Sequence, residues 1–305
     1  MSADSIDPLP HKADPDTPSM ERIRAGHEAV RRANRQEVVE DYVEAIDDLI
    51  MDRGEARVRD LATGFGISHV AVCSVMERLR RDGLVSSGQQ EAIQLTEEGR
   101  SIASRSRARH AAVLAFLLAL GLPEEIAEAD AEGMEHHVGP ESLRAFGEFV
   151  ASRATEQRPQ PAPASPGPLA ADAARRFARV RAAHASELTE DYVEAIDDMI
   201  RERGEARVGW LAERFGVAQV TVTRVVARLR RLGHVTTPPR RPLVLSEGGR
   251  ALAASSRERH QVVLQFLLYL GVPEEAAEID AEGVEHHVSE RTLARFAELT
   301  GPAGT

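Results

Sequence analysis

Between Ala206 and Val235 the chain reads ARVGWLAERFGVAQVTVTRVVARLRRLGHV. Leu211, Ala212 and Phe215 form the apolar face of a short helix, and Val222, Val225, Val226 and Leu229 form the stripe of a second. Gly216 falls between them and supplies the turn. Two short helices on a glycine turn make a helix-turn-helix unit. The stretch that follows, HVTTPPRRPLVLSEGG, has β-forming arms around a Pro/Arg tip and predicts a two-stranded wing. A winged helix-turn-helix inside a mainly α chain is the expected fold.

Charge separates this unit from a plain helical bundle. Residues 201–250 carry 11 Arg against 4 Glu, a balance of 11 − 4 = +7 in a chain whose net charge is −11. Arg224, Arg228, Arg230 and Arg231 lie on or just past the second helix, and Arg240 and Arg241 sit at the wing tip. Basic residues on a helix and a wing are the electrostatic footprint of binding to a DNA backbone. Thr221 and Arg224, near the start of that helix, are placed to reach base edges or phosphates.

Working outward, the same pattern occurs twice. EDYVEAIDDLI at Glu40–Ile50 returns as EDYVEAIDDMI at Glu190–Ile200, and DAEGMEHHV at Asp130–Val138 returns as DAEGVEHHV at Asp280–Val288. The offset is constant: 191 − 41 = 150, 260 − 110 = 150, 286 − 136 = 150. Roughly half the aligned positions are identical without a gap, which marks two copies of one module and not a short solenoid repeat. Between them ATEQRPQPAPASPGPLAADA has linker composition; about 20 residues at ~3.1 Å each reach ~60 Å, enough for the copies to pack on one another. The expected layout is a disordered start at 1–20, a winged helix at 21–99, a helical metal-binding and dimerisation part at 100–152, a linker at 153–170, then a second winged helix at 171–249 and a second helical part at 250–300.

The repeated acid and histidine run suggests a ligand set. Glu282, Glu285 and His286 fall at i, i+3 and i+4 on one helical face, Asp191 and Glu194 form an i, i+3 pair on the first helix, and His260 lies along a third helix. The first copy repeats the set as Asp41, Glu44, His110, Glu132, Glu135 and His136. Taken singly each is readily a solvated acid or a helix-end histidine; as a set reproduced twice they point to one or two divalent ions per copy. Carboxylates with imidazole suit Mn²⁺, Fe²⁺ or Zn²⁺, and the excess of oxygen favours the harder ions. His137 and His287 sit about 100° further round the helix and are expected to be outer-shell or structural groups and not ligands. The single cysteine, Cys73, rules out an intramolecular disulfide and a thiolate cage. The first residues lack the features of a signal peptide, and no apolar run nears the ~18 residues a bilayer requires, so a cytoplasmic location is expected.

With these motifs in hand, each copy resembles the diphtheria-toxin-repressor family of metal-dependent repressors. DYVEAIDDMI, RERHQVVLQFLLYLGV and DAEGVEHHVS carry the resemblance, with their counterparts in the first copy. It implies a winged-helix DNA-binding domain, a helical dimerisation domain and a metal site between them, held by the twelve residues just named. Asp41 and Asp191 resemble the manganese branch, where the iron branch has Met, so Mn²⁺ is the implied cofactor. The implied partner is a pseudo-palindromic double-stranded operator, and the activity is repression of manganese uptake genes, with no catalysis. The duplication departs from the family and predicts an intrachain pseudo-dimer, or else a homodimer with four modules. Two rival readings are a di-metal carboxylate enzyme, whose Glu-x-x-His steps differ from the Glu-x-x-Glu-His found here, and a sensor that acts through a protein partner.

The copies differ where DNA would be read. Residues 51–100 carry 7 Arg and 8 acids, a balance of 7 − 8 = −1. Thr221 corresponds to Ala71, Arg224 to Ser74, and Arg240–Arg241 to Gln90–Glu91. The second copy is therefore expected to be the stronger DNA-binding head.

Overall fold

The computed structural model describes residues 20–86, 92–154, 169–236 and 241–301. Among these, six helices occur in the first half: α1 (Met20–Arg53), α2 (Val58–Phe65), α3 (His69–Arg81), α4 (Glu97–Ala119), α5 (Glu124–Met134) and α6 (Pro140–Ala154). The second half repeats them as α7 (Leu169–Arg203), α8 (Val208–Phe215), α9 (Gln219–Arg231), α10 (Glu247–Tyr269), α11 (Glu274–Val284) and α12 (Glu290–Thr300). The expected disordered start and the wing tips fall outside the described residues, apart from Met20 and Arg241. α6 runs to Ala154 and α7 begins at Leu169, and the rest of the expected linker at 153–170 lies outside the described residues.

Local signals set the element ends. α2 and α8 stop at Gly66 and Gly216, both left-handed with φ 62°, a conformation that a Cβ disfavours. α4 and α10 begin on hydroxyl caps, with Thr96 accepting from the Gly99 N–H and Ser246 from the Gly249 N–H. The wings hold less strand than the alternation of residues suggested. Their arms meet as isolated antiparallel bridges, Val85 with Leu95 and Val235 with Leu245. Ile93 and Leu243 instead donate their N–H groups to Ala56 and Ala206, just after α1 and α7, at 2.8 Å. Among the described residues the second arm of each wing is thus shared between two partners, the facing arm and the chain just after the first helix.

Burial sorts the molecule into two heads and one body. In the first head Tyr42, Ile46, Leu61, Phe65, Val72 and Leu79 pack together, and in the second Tyr192, Ile196, Leu211, Phe215, Val222 and Leu229 do so. Tyr192 stacks on Phe215 with ring centroids 4.1 Å apart. The body is a single core drawn from both halves. Phe116 stacks on Phe146 and Phe266 on Phe296, each at 3.9 Å, and Phe116 meets Phe266 across the halves at 6.0 Å. Five of the eight phenylalanines lie here, Phe149 at its edge, so a chain poor in aromatics concentrates its largest apolar side chains where the halves join.

Polar contacts across that joint are reciprocal. Asp130 accepts from the Ser289 N–H (3.0 Å), the Ser289 hydroxyl (2.8 Å) and the Thr292 hydroxyl (2.6 Å). Asp280 accepts from the Gly139 N–H (2.8 Å) and the Ser142 hydroxyl (2.6 Å). The His137 and His287 rings stack at 4.6 Å, which places the pair predicted to be structural at the joint. Each imidazole lies over a glycine of the other half: a Cβ on Gly133 would stand 2.4 Å from His287 Nδ1, and one on Gly283 2.3 Å from His137 Nδ1. The long helices cross between halves as well. α1 runs along α4 and also packs on α8 and α11, α7 runs along α10 and packs on α2 and α5, and Asn34 Nδ2 donates to Glu187 Oε1 at 2.9 Å.

Gly283→Ala would press a methyl group into the His137 ring. It is expected to destabilise the fold by about 1–3 kcal/mol, as overpacking of a filled interior does, and a urea unfolding curve with an unchanged slope checks this.

Candidate metal centre

α1 presents Asp41 and Glu44 one helical turn apart, α4 presents His110, and the end of α5 with its following turn presents Glu132, Glu135 and His136. In the folded chain these six face one another. His110 Nδ1 lies 2.9 Å from Glu135 Oε2 and 4.0 Å from Glu132 Oε2. His136 Nε2 lies 3.2 Å from Glu135 Oε1 and 3.7 Å from Asp41 Oδ1. The second half repeats this: His260 Nδ1 stands 2.8 Å from Glu285 and 3.9 Å from Glu282, and His286 Nε2 stands 3.2 Å from Asp191 and 3.4 Å from Glu285. Glu44 and Glu194 complete the groups, each beside a buried serine, Ser106 and Ser256. The twelve residues singled out in the sequence thus gather as two sets of six, one per half.

The electrostatics of each set are those of crowded, buried carboxylates. Asp41 is pushed well above the usual carboxylate range by burial and by Glu37, Glu132 and Glu44, against the pull of His136. Glu44 is raised to about 7 by burial and by Glu135 and Glu132, with Ser106 opposing, and Glu194 is raised to about 7 by burial, Glu285 and Glu282. For His110 and His260 burial opposes the charge, but the hydrogen bond and field of Glu135 or Glu285 prevail and lift both to about 9. Protons therefore hold these groups together. Consistent with that, among the described residues no three of the side chains surround a single ion position; each imidazole turns to a carboxylate. The donor set still fits a divalent cation. Four carboxylates and two imidazoles per half, without a thiolate, are the ligands that hard to borderline ions take.

Other residues complete the site that sequence spacing did not expose. Glu40 Oε2 and Glu190 Oε2 each lie 2.9 Å from the Nδ1 of His136 or His286, fixing which ring nitrogen faces the other acids. Burial works against the charge on Glu40, but His136 and Arg109 outweigh it and hold the carboxyl at about 2; Glu190 is held at about 2 in the same way by His286, Ser186 and Arg259. Arg109 and Arg259 donate to these same carboxylates. Arg107 bridges Asp47 and Asp48 at 2.8 Å, and Arg257 bridges Asp197 and Asp198 at 3.0 and 3.1 Å, pinning α4 to α1 and α10 to α7.

On the heads, Thr221, Arg224 and Arg231 stand exposed on α9, Arg228 and Arg230 are half-buried, Arg241 is exposed, and Arg240 lies outside the described residues. Gln219 and Thr223 share the exposed face with Thr221 and Arg224, although composition had not picked them out. Ala71 and Ser74 occupy the matching exposed positions on α3, while Gln90 and Glu91 are outside the described residues.

The family model described as "Iron dependent repressor, metal binding and dimerisation domain" matches residues 96–164 and again 246–303. The model for the "N-terminal DNA binding domain" of the same repressors matches residues 184–243. The transcriptional regulator MntR of Escherichia coli O6:H1 is 52% identical over 128 residues, 42% of this chain and 83% of that protein. This chain belongs to the iron-dependent repressor family. MntR of Salmonella typhimurium is 51% identical over 129 residues (42% of this chain, 82% of that protein), and the HTH-type regulator MntR of Bacillus subtilis is 37% identical over 110 residues (36% and 78%). The match to the Escherichia coli protein implies a relative of about 128/0.83 ≈ 154 residues, close to one 150-residue repeat of this family member.

The chain is a metal-responsive, DNA-binding transcriptional regulator that combines operator-binding and dimerisation parts. Its relatives are transcriptional regulators, and the enzyme and protein-partner readings find no support among them. Among the described residues no helix is long and apolar enough to cross a membrane.

Glu190→Gln leaves His286 without its charged acceptor. It is expected to weaken divalent-cation binding in the second half by about 10–100-fold while helix content is kept, read by titration calorimetry and circular dichroism.

Proposed function

We propose that the chain is a manganese-responsive repressor of manganese uptake genes, acting as an intrachain pseudo-dimer. The observation that carries this reading is the convergence of six oxygen and nitrogen donors from α1, α4 and α5, and again from α7, α10 and α11. Asp41, Glu44, His110, Glu132, Glu135 and His136 hold the cation in the first half, and Asp191, Glu194, His260, Glu282, Glu285 and His286 in the second. Oxygen-rich ligation with aspartate on the first helix favours Mn²⁺ over Fe²⁺ or Zn²⁺. The relatives are transcriptional regulators; the donor chemistry supports the choice of ion.

When bound, a divalent cation neutralises the crowded carboxylates and takes the place of their protons. The residues do the rest. Asp191 and Glu194 ride on α7, which also supplies Tyr192 and Ile196 to the core of its head. His260, Glu282, Glu285 and His286 belong to the body. Holding the two sets at one separation fixes the angle between head and body, and so the spacing of α3 and α9 on a duplex. The cation favours DNA binding only as far as this ordered state holds it more tightly. A location in the cytoplasm accords with a role on DNA.

The second head is the main DNA contact in this reading. It exposes Arg224 and Thr221 where the first exposes Ser74 and Ala71. The match to the DNA-binding family model falls on the same half.

Two measurements test the proposal. Anisotropy titrations with duplexes from promoters of manganese uptake genes are expected to show at least about tenfold tighter binding in Mn²⁺ than in chelator, within the usual range of allosteric coupling. Equal affinity in the two conditions overturns it. Arg224→Ala is expected to lose about 1–3 kcal/mol of operator binding, and Ser74→Ala clearly less; equal losses would overturn the ranking of the heads.

A further inference from the structure

Compared position by position, α3 and α9 are alike where they face the head and unlike where they face outward. Val72 and Val222, and Leu79 and Leu229, are buried and identical; Met76 and Val226 are buried and both apolar. The half-buried Val75 and Val225 also agree, as do Arg78, Arg80 and Arg81 with Arg228, Arg230 and Arg231. The changes fall at Ser68/Ala218, His69/Gln219, Ala71/Thr221, Cys73/Thr223, Ser74/Arg224 and Glu77/Ala227. All twelve of these residues are exposed except Cys73, which is half-buried. Of the outward positions on this stretch, Val70 and Val220 are shared, as are Arg81 and Arg231 at the helix ends.

These six pairs differ in what they read. On α9, Gln219 matches the donor–acceptor pair of adenine, Arg224 the paired acceptors of guanine, and Thr221 offers a hydroxyl and a methyl group. On α3, Ala71 offers a methyl group for thymine, Ser74 a hydroxyl, and Glu77 an acceptor for the cytosine amine, with a charge that phosphates repel. His69 Nδ1 is engaged 3.4 Å from Cys73 Sγ, so this pair presents a different surface from Gln219 and Thr223. The two helices cannot favour the same bases.

The joint between the halves matches unlike partners. Asp130 finds three donors on the second half, including the Ser289 hydroxyl, whereas the first half offers Gly139 at that position. A first half paired with another first half would lose that donor. Arg295 Nε also donates to the Leu120 carbonyl across the joint at 2.7 Å, and its counterpart is Ala145. One α3 and one α9 are therefore fixed in the same body.

We infer that the operator of this chain is directional: two unlike half-sites about one helical turn apart, one read by α9 through Gln219, Thr221 and Arg224, the other by α3 through His69, Ala71, Ser74 and Glu77. This rests on the repressor reading above and goes beyond it, since a symmetric pair of heads would require a palindrome.

Selection of duplexes from a random pool by the full chain in Mn²⁺, followed by anisotropy titration, tests it. The selected sequence is expected to be non-palindromic. Replacing its α3 half-site with a second α9 half-site is expected to weaken binding at least about tenfold, since each mismatched base pair costs about that much. The variant Ser68→Ala/His69→Gln/Ala71→Thr/Cys73→Thr/Ser74→Arg/Glu77→Ala, changed only on the outer face, is expected to reverse that preference while Mn²⁺ binding and helix content stay as they were. Selection of a palindrome, or protection of a single half-site, overturns the inference and leaves the repressor reading standing. No enrichment in Mn²⁺ removes both.

Discussion

One helix end faces two ways, and the rest of the molecule depends on it. Along α5 and its following turn, Asp130, Gly133 and His137 meet the other half, while Glu132, Glu135 and His136 meet α1 and α4 of their own half. The residues alternate between faces because steps of three and four return to one side of a helix and intermediate steps do not. The wall of the candidate metal centre is thus also the wall of the joint. Neither can shift without the other, because a glycine notch filled by an imidazole ring leaves no slack.

Much of this was legible in the sequence. The twelve candidate donors, which the fold gathers in two sets, stood out because their types are chemically restrictive and their spacing fits helical faces. The two heads could be found because Gly66 and Gly216 punctuate apolar stripes of helical period. Glu40 and Glu190 could not: each adjoins a stronger candidate and looks like an ordinary solvated acid until His136 or His286 is seen to turn towards it. The joint was hidden for a related reason. Asp130 and Thr292 are 162 residues apart, and no periodicity links them. Alternation marked the wing arms because it reports which way side chains face, but not that Ile93 and Leu243 would pair with the chain after the first helix.

The body and the heads have been treated differently by the duplication. The ligand types are the same in both halves, and the core of each head is nearly so. Between α3 and α9 the differences lie on the outer face, apart from the buried Met76 and Val226, so most of them leave the head core as it was. A fold under one set of constraints inside and another outside can therefore vary its recognition without loss of stability. Arg214 marks the limit of that freedom. It stands buried and paired to Asp198 at 2.8 Å, where the first half has Gly64, so the two heads are not interchangeable in their interiors either.

Because the shared core is built from two halves of one polypeptide, its assembly does not depend on how many molecules are present. Partners joined by a short tether meet at an effective concentration of the order of millimolar, whatever the dilution outside. A repressor that must dimerise loses its grip when the cell holds few copies. Here the phenylalanine core closes within the chain, so even a single molecule in a cell has both heads in place.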